Sequence, residues 1–125
     1  MITKQDEFIR KLIREELDKF DKYPSKKDII KMLRYNLTSR VKFTLLAGYI
    51  IGSEAKGTAK ENSDLDIGII IPKSDYISAL KRTEIYHSKF MSDEQKPKWK
   101  GRIVDFQFFY EDDPELKTYS KIQIF

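Results

Sequence analysis

Gly52-Ser53-Glu54-Ala55-Lys56-Gly57-Thr58-Ala59-Lys60-Glu61-Asn62-Ser63-Asp64-Leu65-Asp66-Ile67-Gly68-Ile69-Ile70-Ile71-Pro72 is the stretch on which the fold turns. It passes from small and charged residues into an apolar, β-branched run that Pro72 closes, so Asp64 to Ile71 reads as a strand. Residues two apart in a strand share a face, which points Asp64 and Asp66 the same way with side chains roughly 6–7 Å apart. Leu65, Ile67, Ile69 and Ile71 take the opposite face, all apolar and therefore buried, while Asp64, Asp66 and Gly68 line the first. Two carboxylates held together repel, and both stay ionised only where a cation or solvent screens them. Strand-edge aspartates are often no more than solvated, so the pair gains meaning from its surroundings.

Upstream, Val41 to Ile51 is rich in β-branched and aromatic residues and reads as another strand. Gly52-Ser53 falls where that strand ends and a short helix, about Glu54 to Ala59, begins. Glycine permits close backbone approach, and the serine hydroxyl with free amides suits phosphate; Lys56 and Lys60 follow as counter-charges. Downstream, Arg102 to Tyr110 reads as a third strand. One of its faces carries Val104, Phe106, Phe108 and Tyr110; the other carries Ile103, Asp105, Gln107 and Phe109. Asp105 is the only acid within it, placed so that a neighbouring strand brings it beside Asp64 and Asp66. A phosphate cradle and a carboxylate cluster separated by one short helix amount to a nucleoside triphosphate site, and three aspartates on adjacent strands suit two-metal phosphoryl transfer. An oxygen-only ligand set points to Mg²⁺ or Mn²⁺.

The rest of the chain reads as scaffold. Phe8, Ile9, Leu12, Ile13, Leu17 and Phe20 recur at helical spacing, predicting an amphipathic helix from about Lys4 to Lys22. Tyr23-Pro24-Ser25 breaks it. Ser25 with Asp28 forms a capping box that opens a second helix, running to about Arg40 with Ile29, Ile30, Leu33 and Leu37 as its stripe. Ser74 is a candidate cap for a helix from about Asp75 to Thr83, and Met91 to Lys100 reads as an exposed loop. Asp113-Pro114-Glu115 is a helix start, with the helix reaching about Ser120, and Ile122 to Phe125 is an apolar tail. Two N-terminal helices and a small, mixed β-sheet flanked by helices make an α/β or α+β domain. The domain is single, with residues 1–40 as the helices, 41–110 as the catalytic core and 111–125 as the C-terminal helix and tail.

Composition narrows the chemistry. The chain has 125 residues, no cysteine and one histidine, His87, which removes disulfides, thiol catalysis and cysteine-ligated zinc, and leaves no set for a multi-histidine metal centre. His87, next to Tyr86, reads as a surface or packing residue. Trp99, between Lys98 and Lys100, suits either base stacking or the edge of the core. The charged opening, Met1-Ile-Thr-Lys-Gln-Asp-Glu, has no signal-peptide character, and Ile67 to Pro72 is far shorter than the roughly 20 residues of a membrane span. A cytoplasmic location is expected. The net charge of +4 is a mild bias towards anionic partners such as nucleotides or nucleic acid.

Gly52-Ser53, ten residues, then Asp64-Leu65-Asp66 and an apolar strand resembles the signature of the DNA polymerase β-type nucleotidyltransferase superfamily, and the compact length resembles its minimal nucleotidyltransferase branch. The resemblance covers about Val41 to Tyr110. It implies the nucleotidyltransferase fold, with Gly52 and Ser53 as the phosphate-binding turn, Lys56 and Ser63 beside it, and Asp64 and Asp66 as metal ligands. Asp105 is then the third carboxylate, which helps activate the nucleophile. Relatives often have Ala-Arg-Gly where this chain has Ala55-Lys56-Gly57, and lysine keeps the charge but loses the bidentate fork. The implied activity is Mg²⁺- or Mn²⁺-dependent transfer of AMP from ATP to a hydroxyl. Members of the minimal branch pair with a small helical HEPN-domain protein as antitoxin and adenylylate a tyrosine on it, which is the expectation for this chain, with nucleic acid less favoured as acceptor. Two other readings compete: a binding antitoxin that covers its partner through the apolar tail or the N-terminal helix, and a small-molecule or RNA nucleotidyltransferase.

Overall fold

The computed structural model describes residues 3–10, 22–36, 44–78, 81–82, 85 and 91–125. Residues 4–10 are helical (α1). Then come α2 (Lys26–Asn36), β1 (Ala47–Ile51), α3 (Gly52–Lys56), β2 (Leu65–Ile71), α4 (Lys73–Ile77), β3 (Lys98–Trp99), β4 (Arg102–Tyr110), a 3-10 helix (Pro114–Thr118) and β5 (Ile122–Gln123). The five strands form one sheet in the order β3-β4-β2-β1-β5. β2 runs parallel to β4 and antiparallel to β1; β3–β4 and β1–β5 are also antiparallel. The sheet is mixed, as the sequence predicts, with β2 at its centre.

A central strand is covered on both sides, which explains why β2 reads as a nearly continuous apolar run. Leu65, Ile67, Ile69 and Ile71 lie on one face with Val104, Phe106 and Phe108 of β4, Ile50 of β1, and Tyr23, Ile29 and Leu33 from the α2 region. Ile70 belongs to the other face, where it joins Ile51 and Phe109 under Leu116 and Tyr119 of the C-terminal segment. The Phe109 and Tyr119 rings meet edge to face at 5.6 Å. The second face is thereby closed at the Ile70 end, and at the other end Asp66 lies beside the buried Ile51.

The capping box is present in both directions. The Asp28 amide donates to Ser25 Oγ at 3.2 Å, and the Ser25 amide donates to Asp28 Oδ2 at 3.0 Å. Asp113 also caps as expected, its Oδ1 accepting from the Glu115 amide at 3.0 Å, but the segment that follows is a 3-10 helix ending at Thr118.

Several boundaries differ from expectation. Residues 44–46 precede β1 rather than belonging to it, although the Leu46 amide still donates to the Ile70 carbonyl. The short helix starts at Gly52, not Glu54, and stops at Lys56 because Gly57, with φ of 75°, turns the chain left-handed and donates back to the Glu54 carbonyl. Ser74 lies inside α4 rather than capping it: the helix opens after Pro72 and makes no side-chain cap bond. The expected loop from Met91 to Lys100 contains β3, and Trp99 packs against the core with its indole N–H directed to the Lys22 carbonyl at 3.4 Å, which favours the core-edge role.

The apolar tail packs on its own domain: β5 pairs with β1, and the Phe125 ring lies against Gly48 where any Cβ would collide with it. Part of the tail's apolar surface is thus used within the domain, with Ile122, Ile124 and Phe125 left partly exposed. His87 and most of the expected first helix, residues 11–21, lie outside the described residues, as do residues 37–40 of the second.

Candidate active site

The parallel pairing of β2 and β4 sets Asp66 directly opposite Asp105, and the antiparallel pairing of β1 sets Ile51 opposite Asp66. Directly paired residues share a face, so the register alone puts the two carboxylates side by side on the face away from the main core. The next row inward is Tyr49, Gly68 and Gln107. The row beyond is the apolar plug of Ile70 and Phe109, so the polar surface is confined to the C-terminal end of β1 and the N-terminal ends of β2 and β4.

Gly52 stands at that end with φ of 70°. A left-handed residue with a Cβ costs about 1–2 kcal/mol. Here there is a second reason for glycine: a Cβ would run into Oδ2 of Asp66. The turn into α3 and the Asp66 carboxylate are therefore in close approach. Ser53 is half-buried in the first turn of α3, and its carbonyl accepts from the Thr58 amide. Lys56 is exposed at the last position of the helix. Ser63 is drawn into the loop itself, its hydroxyl accepting from the Lys60 amide at 2.9 Å.

Asp66 is half-buried, and burial, the Asp105 charge and the Asp64 charge together push its carboxyl up to about 6, with Lys96 and Arg102 working in the opposite direction. A carboxylate in this state is favourable to any hard cation that neutralises it. The donor set is oxygen only, lies on one face, and is bordered by a glycine turn without side-chain bulk. On that chemistry Asp66 and Asp105 fit a divalent metal of the magnesium type. Asp64 does not complete the cluster: it is exposed, precedes β2 by one residue, and among the described residues no three acidic, histidine or cysteine groups are gathered closely enough to enclose an ion. The structure thus joins two of the three expected aspartates and leaves the third at the rim, close enough for its charge to act on Asp66.

Arg102, Glu54 and Lys96 were not singled out from the sequence. Arg102 Nε donates to the Ser63 carbonyl at 2.9 Å, Nη2 to the Asp64 carbonyl at 3.5 Å, and Nη1 to Glu54 Oε2 at 3.2 Å. Glu54 also accepts from the Tyr23 hydroxyl at 3.2 Å, and burial followed by the Glu54 charge raises the Tyr23 phenol above its ordinary value. One guanidinium therefore pins α3, the Asp64 loop and β4 together. The available signal was that Arg102 heads the otherwise apolar face of Val104, Phe106 and Phe108, where a charge needs a partner. Lys96 forms ion pairs with Asp105 at 3.5 Å and Asp93 at 3.6 Å.

Among the described residues no helix is long and apolar enough to cross a membrane. No significant match exists among curated proteins or solved structures. Residues 30–124 match the nucleotidyltransferase domain family. This span takes in α2 from Ile30 onward, the whole sheet, the Gly52 turn and both strand aspartates. The family's chemistry is nucleotidyl transfer from a nucleoside triphosphate with a divalent metal, which is the chemistry that the paired carboxylates and the glycine turn suit. The chain belongs to the nucleotidyltransferase domain family.

Proposed function

We propose that this protein transfers a nucleoside monophosphate, AMP from ATP, to a hydroxyl acceptor, with Asp66 and Asp105 as the central metal-holding carboxylates and Asp64 joining them from the rim. The observation that carries the reading is the in-register pairing of Asp66 with Asp105 beside Gly52, within a nucleotidyltransferase domain. The metal, when bound, screens the triphosphate charge and lowers the proton affinity of the acceptor oxygen. The Gly52-Ser53 turn takes the β- and γ-phosphates through backbone amides and the serine hydroxyl, with Ser63 and Lys56 bordering them. Asp105 accepts the acceptor's proton as its oxygen bonds to the α-phosphorus, and the bond to the bridging oxygen breaks to release pyrophosphate. Arg102 and Glu54 hold the α3 turn and the Asp64 loop at fixed separation, so that phosphate and metal ligands do not drift apart.

The acceptor we assign is a tyrosine on a small helical partner of the HEPN type, following the resemblance to the minimal nucleotidyltransferase branch; at this step the support is analogy. Incubation with ATP labelled at the α-phosphate, Mg²⁺ and the product of the neighbouring gene tests it. Label on a tyrosine of that protein, absent with Asp66→Asn, is expected. Label on RNA alone moves the acceptor to nucleic acid, and absence of both label and ATP binding overturns the enzymatic reading. If Asp66→Asn silences the partner at the same stoichiometry as wild type, the protein acts by binding.

A further inference from the structure

We propose that Lys96 is a tethered counter-cation for the Asp66–Asp105 pair, which a divalent metal must displace, so that metal binding competes with the Lys96 ion pairs. The inference rests on the reading of these aspartates as metal ligands. Its own basis is the placement of one lysine. Lys96 Nζ lies 3.5 Å from Asp105 Oδ1 and 3.6 Å from Asp93 Oδ1, and only 14% of its side chain is exposed. Lysines are seldom so covered unless paired. Its charge also reaches Asp66, where it works against the repulsion from Asp105 and Asp64.

The backbone delivers Lys96 to this place. Pro97, the next residue, accepts from the Val104 amide at 2.8 Å, which ties the loop to β4 one residue from Asp105. On the other side, the Gln95 amide donates to the Ser92 carbonyl at 2.9 Å, and Gln95 Oε1 accepts from the Ser92 amide at 3.3 Å, closing a tight turn. Lys96 is thus carried by a structured turn and not by a long free segment.

A cation held by Asp105 and Asp66 would lie close to the Lys96 ammonium, which is 3.5 Å from Asp105 Oδ1, and two cations at one carboxylate repel. Binding therefore frees the ammonium while Pro97 keeps its backbone beside the site. Asp93, 70% exposed, holds the lysine on its outer side and gives it a place to turn.

Mn²⁺ alone is the probe, titrated by calorimetry and by its paramagnetic resonance signal into wild type, Lys96→Met, Lys96→Arg and Asp66→Asn. Lys96→Met is expected to bind Mn²⁺ about tenfold more tightly, the scale of one partly buried ion pair lost from the competition. Lys96→Arg, which keeps the charge, stays near wild type. Circular dichroism of each variant establishes that it is folded. Equal or weaker binding by a folded Lys96→Met overturns the proposal. Undiminished binding by Asp66→Asn overturns the metal-ligand reading beneath it, so the two failures are distinguishable.

Discussion

Asp66→Asn should raise stability while it removes activity, the trade-off expected where an active site holds repelling charges. In the folded chain the Asp66 carboxyl is pushed from 3.8 up to about 6 by burial first, then by the charges of Asp105 and Asp64. Between those values the native state holds a proton that the unfolded chain has released. The stability contributed by this group is therefore full below about pH 4, falls as the pH rises, and is lost above about pH 6. At about 1.4 kcal/mol per pH unit the rise corresponds to about 3 kcal/mol. Asp66 is only half-buried, and solvent screening brings the expected effect to about 1.5 kcal/mol. Asparagine keeps the shape and removes the charge. At pH 7.5 Asp66→Asn should be more stable than wild type by about 1–2 kcal/mol, with Tm higher by about 5 °C. At pH 4 the two should be alike. Urea denaturation at intervals from pH 4 to 8, with and without Mg²⁺, measures this; Mg²⁺ should raise the stability of wild type and leave the variant unmoved. Nucleotidyl transfer by the variant should fall at least about 100-fold. A variant no more stable than wild type at pH 7.5, or an equal gap at pH 4 and 7.5, would refute the burial and repulsion assigned to Asp66.

Gly52→Ala should cost about 1–2 kcal/mol for the left-handed backbone, read by thermal melting, and should also weaken triphosphate binding because the new Cβ displaces the Asp66 carboxylate. Gly57→Ala, at a similar φ of 75° but with open space around it, should share the first effect and not the second. Arg102→Met leaves Glu54, whose side chain is 12% exposed, facing Tyr23 without its guanidinium; about 2 kcal/mol of stability should be lost in urea titration. Adding Glu54→Gln should recover part of it, since the two residues act as one pair. Ser25→Ala removes the forward half of the capping box and should cost about 1 kcal/mol, with no effect on ATP affinity measured by calorimetry.

Local chemistry made much of this legible in advance. The alternation in β2, the capping pairs Ser25–Asp28 and Asp113–Glu115, and the full span of β4 follow from residue periodicity and side-chain reach, which operate over a few positions. The boundaries that shifted were decided elsewhere. β1 begins only at Ala47, α3 starts at Gly52 because the chain must turn left-handed beside Asp66, and Lys98–Trp99 becomes a strand because β4 offers it an edge. Propensity holds no record of a neighbouring strand.

The same division applies to the site. By itself the sequence determined which groups are available: oxygen donors, a glycine-serine turn, no thiol and a single histidine. It also placed Asp66 on the side of β2 away from Leu65 and Ile67, because a strand has a period of two. Only the tertiary structure decided that Asp105 faces Asp66, since register between strands is set by packing of the Ile67–Phe106 face and not by any local residue. Asp64's place at the rim, Arg102's hold on three segments and Lys96's hold on Asp105 were likewise settled only by the tertiary structure. Ion pairs between different segments form only after hydrophobic burial has brought their partners within reach.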